Sequence, residues 1–164
     1  MDRNLARRLG GTLAAVALVL SACGGGASPG TTTTTATGTP AAGGMTTIDV
    51  TLQEFAVIPA ADAAPAGDVT FKITNDGPED VHELVILKTD LGASALPTDE
   101  NGAVDEAGAG IEVIDEVEDL EVGAAQDLTV NLAAGKYVLL CNIFDETENE
   151  AHYKMGMRID FTVN

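Results

Sequence analysis

Between residues 45 and 164 the chain keeps returning to one pattern, a short segment in which apolar and polar side chains alternate: Ile48–Leu52, Val69–Ile73, Glu83–Leu87, Ile111–Ile114, Leu128–Leu132, Tyr137–Leu140 and Met157–Val163. A period of two, rich in β-branched residues, places alternate side chains on opposite faces of an extended chain, so these segments read as strands. Asn75-Asp76-Gly77-Pro78 and Ala133-Ala134-Gly135 supply turns between them. The 120 residues from 45 to 164 suffice for one domain with its own core, and no internal repeat divides them. The pattern predicts an all-β domain over residues 46–164, a Greek-key β-sandwich, with helix confined to a turn near Leu91–Leu96.

The first 45 residues follow a different logic. Arg3, Arg7 and Arg8 precede the apolar run Leu13–Leu20, and Ser21-Ala22-Cys23 follows it. Positive residues, a short apolar stretch and small residues make an export signal over residues 1–22, and the run is too short to span a bilayer. Leu20-Ser21-Ala22-Cys23 resembles the bacterial lipobox, in which the cysteine is lipidated and becomes the first residue of the mature chain. Arg7-Arg8 leaves export by the general or the twin-arginine route open. Residues 23–45, Gly/Thr/Ala/Pro-rich and without charge, have little to bury and read as a disordered tether. Its 21 central residues would reach on the order of 25 Å. The expectation is an exported protein, lipid-anchored at Cys23 on the periplasmic or extracellular face of the membrane.

Charge removes several classes of function. Without residues 1–22 the chain has 25 acids against 5 bases, a net charge of −20 on 142 residues. Nucleic acid and anionic headgroups repel such a domain. The acids gather in Asp99–Asp127 and in Asp145–Glu150, the second cluster next to His152. Most of them solubilise the surface, while the cluster beside His152 would steer a protein partner with a basic docking surface. Asp145–Glu150 lacks the glycine a calcium loop needs at its sixth position. No nucleotide-binding glycine pattern and no acyl-transfer triad is present, so no enzymatic activity is expected.

What chemistry remains lies in His82, Cys141, His152 and Met157. If Cys23 carries lipid, Cys141 has no disulfide partner in the chain. An unpaired thiol in an oxidising compartment needs an occupant, and metal would serve. Two imidazoles, a thiolate and a weak thioether suit copper in both oxidation states, whereas Zn²⁺ gains little from the thioether. With only two histidines the chain cannot assemble the coupled centres of a multicopper oxidase, and with no second free cysteine it cannot bridge two coppers. The strand reading puts His82 at the start of one strand, Cys141 at the end of another, and His152 and Met157 on the loop leading to the last. All four can meet at one pole of the sandwich.

Three local matches, Asn75-Asp76-Gly77…His82, Gly135-Lys136-Tyr137…Cys141 and His152-Tyr153-Lys154-Met155-Gly156-Met157 with Phe161-Thr162-Val163, resemble the cupredoxins. These are small blue-copper proteins such as plastocyanin and pseudoazurin, and the likeness is closer to the sulfocyanin-like branch with extended loops. The resemblance implies one type 1 copper ion and electron transfer, with His82 and His152 as imidazole ligands, Cys141 as thiolate and Met157 as axial thioether. Met155 competes for the axial role, but Met157 lies five residues after His152, the plastocyanin spacing. Two features depart from the pattern. Ten residues separate Cys141 from His152, four of them acidic, and Glu83 stands where plastocyanin-like members carry the asparagine that ties two ligand loops together. The expected function is a monomeric single-electron carrier at the outer face of the cytoplasmic membrane. The alternatives are a copper chaperone or buffer serving an oxidase, and a metal-free structural module.

Overall fold

The structure, a computed structural model, describes residues 45–164. The export signal, Cys23 and all of the tether but Met45 lie outside the described residues. Eleven strands and one helical turn follow in order: β1 (Thr46–Gln53), β2 (Ala56–Pro59), β3 (Ala63–Ala64), β4 (Gly67–Gly77), β5 (His82–Lys88), β6 (Glu112–Leu120), β7 (Ala125–Leu132), β8 (Gly135–Leu140), β9 (Phe144–Asp145), β10 (Glu150–Ala151), α1 (His152–Met155) and β11 (Arg158–Val163). One sheet runs β2-β1-β4-β7, the facing sheet β3-β11-β8-β5-β6, and β9 and β10 form a small hairpin. The all-β Greek-key sandwich expected from alternation is the observed architecture.

Parity explains the layers. Ile48, Val50 and Leu52 of β1, Val69, Phe71 and Ile73 of β4, and Phe161 and Val163 of β11 face the space between the sheets and form the main core. On the second sheet β5 and β8 are buried on both faces. Leu84, Ile86, Tyr137 and Leu139 point into the main core. Val85, Leu87, Val138 and Leu140 point outward, where Ala93, Leu96 and Val104 of the β5–β6 connection cover them. The turn expected near Leu91–Leu96 is present, closed by Ala95 N–H to Gly92 C=O, and the segment's apolar Ala93 and Leu96 serve as a lid on the sheet.

The strand expected at Ile111–Ile114 is longer than its apolar residues suggest. β6 runs from Glu112 to Leu120 at the edge of its sheet, paired on one side with β5 through an interrupted register. Acidic side chains on its exposed positions protect the edge against pairing with another chain. Among the described residues no helix is long and apolar enough to cross a membrane.

Candidate metal centre

The same parity that builds the core directs two of the four candidate residues inward. His82, Leu84 and Ile86 share the inner face of β5, and Tyr137, Leu139 and Cys141 share that of β8 and its extension. Pairing of Val85 with Leu140 sets the start of β5 beside the end of β8. His152 arrives by another route. The ten residues after Cys141 fold back on themselves as the β9–β10 hairpin, and His152 N–H donates to Ile143 C=O at 2.9 Å. His152 and Met157 lie on the connection leading to β11, as expected, and that connection is a helical turn opened by His152 and closed by Gly156 N–H on His152 C=O and Tyr153 C=O, with Met157 N–H also on His152 C=O.

These elements bring three ligand atoms together. His82 Nδ1 and His152 Nδ1 are 3.2 Å apart, and Cys141 Sγ lies 3.4 Å from the second and 4.0 Å from the first. A triangle with those sides has a point equidistant from its corners at about 2.1 Å, close to the bonds of about 2.0–2.1 Å and about 2.3 Å that imidazole and thiolate make to a divalent ion. The donors therefore fit a metal without rearrangement of the chain. His82 and Cys141 are fully buried and His152 is 2% exposed. Met157 is buried in the same cluster as Cys141, whereas Met155 is 46% exposed.

Electrostatics agree with a site built to be filled. Burial pushes the Cys141 thiol up to about 12, against the opposing pull of the Glu83 and Ile143 backbone amides. Burial also holds both histidines below their ordinary value, and for His82 the neighbouring His152 adds to the effect. Burial thus favours neutral rings, each with a lone pair to offer, and a thiol that keeps its proton until a metal displaces it.

Several residues that brace the centre carry no ligand chemistry of their own. Glu83, the departure from the plastocyanin pattern, ties the ligand loops in the asparagine's stead. Its backbone N–H points at Cys141 Sγ at 3.4 Å and its carboxylate accepts the Asn142 N–H at 2.8 Å. The Asn142 side chain in turn accepts from Val104 N–H and donates to Val104 C=O and Glu106. Asn75 holds the approach to His82, donating to Asp80 C=O and Leu120 C=O and accepting from Gly77 N–H, each at 2.8 Å. Tyr153 anchors α1 in the second cluster: its hydroxyl donates to Ala93 C=O at 2.8 Å and accepts from Leu96 N–H at 3.3 Å. Arg158 donates to the Tyr153 carbonyl and lies 4.8 Å over its ring. The long loop between Cys141 and His152 is thus pinned at both ends.

Gly156 is required by the close approach of the β1–β2 turn. At φ +130° it occupies backbone space that favours glycine, and a Cβ there would stand 3.1 Å from the Phe55 carbonyl oxygen. The Phe55 ring meets His152 edge-on, with centroids 5.4 Å apart. Phe55 lines a cleft with Glu54, Glu79, Asp80, Glu148 and Glu150. The acidic cluster legible at Asp145–Glu150 therefore continues across two other segments, the β1–β2 turn with Glu54 and the β4–β5 loop with Glu79 and Asp80. Glu150 and then Asp80 push the Glu148 carboxyl above its ordinary value. Asp145 is differently employed, accepting the Thr147 and Glu148 N–H groups in the hairpin turn.

No family model matches the sequence, and no curated protein does. Solved structures do. Reduced auracyanin from the photosynthetic bacterium Roseiflexus castenholzii is 25% identical over 73% of this chain and 97% of its own, with a TM-score of 0.53. The fold is cupredoxin-like. Auracyanin A, a blue copper protein of Chloroflexus aurantiacus, matches at 21% identity over 74% of this chain and all of its own, with a TM-score of 0.50. Rusticyanin from Thiobacillus ferrooxidans matches at 15% identity over 74% and 79%, again at 0.50. With these last two the likeness is one of fold.

Proposed function

We propose that the protein is a type 1 copper protein that carries single electrons between redox partners. The observation that carries this reading is the convergence of His82 Nδ1, His152 Nδ1 and Cys141 Sγ, from three separate segments, around one point at bonding distance from all three. Met157, buried beside Cys141, is the axial thioether in this reading, and the exposed Met155 belongs to the surface around it. Bound there, copper would supply a one-electron couple. The chain's own residues would hold the donors in place through Glu83, Asn142 and Tyr153, and would exclude water by burial. Likeness to a reduced auracyanin supports the same reading.

Electron carriage is favoured over copper delivery by the closure of the site. Handing an ion to an acceptor requires a ligand that can swing out, and no candidate ligand is exposed by more than 2%. In this reading the protein works as a monomer without enzymatic activity, docks a cationic partner against the cleft beside Phe55, and is held by lipid on Cys23 to the outer face of the cytoplasmic membrane. Repeated electrochemical cycling of the copper-loaded protein in the presence of a copper(I) chelator tests it. Retention of the metal over many cycles is expected, and transfer to the chelator between cycles would assign the protein to copper delivery instead.

A further inference from the structure

The far edge of His82 faces a group that the ligand set does not use. His82 Nε2 lies 3.5 Å from Glu54 Oε1. That nitrogen and the second carboxylate oxygen, Glu54 Oε2, are both shut off from solvent with no hydrogen-bond partner. Leaving a buried polar atom unpaired is costly. These two are complementary, since an ionised carboxylate only accepts and a neutral imidazole donates from one of its nitrogens. Glu54 is also fixed independently of His82. Its Oε1 accepts from Glu79 N–H at 3.1 Å and Asp80 N–H at 2.6 Å, so a carboxylate from the β1–β2 turn clamps the loop that delivers His82.

We propose that Glu54 is a positioning residue that takes the Nε2–H of His82, leaving the Nδ1 lone pair directed at Cys141 and His152. One consequence follows at once for the 3.2 Å contact between the two Nδ1 atoms. With His82 Nδ1 unprotonated, that contact has a single polarity, His152 Nδ1–H donating to His82 Nδ1. Glu54, His82 and His152 then form a chain in which each proton is assigned. His82 is ready for metal as folded, and only His152 must change tautomer. A carboxylate behind a ligand imidazole orients the ring and raises its basicity, an arrangement whose loss weakens metal binding about 10–100-fold.

The inference rests on the copper site proposed above, but its first test needs no metal. Long-range ¹H–¹⁵N correlation spectra of the labelled, metal-free protein at pH 8 report the tautomer of each ring. His82 as Nε2–H and His152 as Nδ1–H are expected, and His82 as Nδ1–H in the native protein overturns the proposal. Glu54→Gln keeps an oxygen at the acceptor position and should keep the His82 tautomer, with copper(I) affinity within a few-fold of native. Glu54→Leu should mix the tautomers and lower affinity about 10–100-fold. An unchanged tautomer and affinity in Glu54→Leu would also overturn it. If that variant does not fold, the native tautomer and its retention in Glu54→Gln still decide the matter. A native protein that has the expected tautomers yet binds no copper would dismiss the copper reading and leave the Glu54 contact standing.

Discussion

Gly156 offers a sharp test of how the centre is built, because the structure contains its own control. Gly156 and Gly67 both sit at φ +130°, a backbone conformation that other residues rarely adopt. Alanine at either position should store strain of roughly 1–3 kcal/mol. Only at Gly156 does the added Cβ meet anything, the Phe55 carbonyl oxygen at 3.1 Å; at Gly67 nothing lies within 4 Å. The Phe55 carbonyl is backbone, so relief requires the β1–β2 turn, with its ring on His152, to move by a few tenths of an ångström. Gly67→Ala should therefore cost the strain alone, a fall in melting temperature of roughly 3–6 °C per kcal/mol for a domain of this size. Gly156→Ala should cost more, and it alone should alter the spectrum of the copper-loaded protein, since it displaces Phe55 from His152 and shifts Met157. Thermal unfolding followed by circular dichroism, with a visible spectrum of each loaded variant, provides both readings. Equal melting temperatures for the two variants with unchanged spectra would refute the reasoning.

Three further predictions concern the surroundings of the centre. Tyr153→Phe strips the Ala93 carbonyl and the Leu96 amide of their partner while keeping the ring, so the unfolding free energy in urea should drop by about 1–3 kcal/mol; no change would mean that the hydroxyl does not anchor α1. Met157→Ala should lower stability by about 2–5 kcal/mol as a core truncation and change the copper spectrum, whereas Met155→Ala should leave stability within about 0.5 kcal/mol; equal effects would reverse their assignment. Association with a basic redox protein, followed by stopped flow, should slow as ionic strength rises, and Glu79→Gln, Glu148→Gln and Glu150→Gln together should flatten that dependence and raise the reduction potential. A rate indifferent to salt would reject docking at the acidic cleft.

Much of this is legible in the sequence, and the reasons are physical. Strands with one face in the core announce themselves by period, which is why β1, β4, β7 and β11 were expected where they occur. The four candidate ligands stood out because the chain has only two histidines and two cysteines. β9 and β10 are two residues each, too short to carry any period, so the ten residues after Cys141 read as an unsupported loop. β6 was foreshortened because its acidic positions, protective at a sheet edge, look like solvated surface. Ala93, Leu96 and Val104 follow no period of their own, and they cover a sheet that alternation treats as having one buried face. Glu54 is the least readable of all. It sits far along the chain from the ligands, and only the pairing of β1 with β4, which carries the turn after Gln53 to the loop before His82, reveals what it faces.

The visible absorption spectrum of the copper(II)-loaded protein bears most directly on the central claim that Cys141, His82 and His152 bind one copper together. An intense thiolate-to-copper(II) charge-transfer band that saturates at one copper per chain and vanishes in Cys141→Ser is the expected result. A colourless copper adduct, or a band that survives Cys141→Ser, would contradict it.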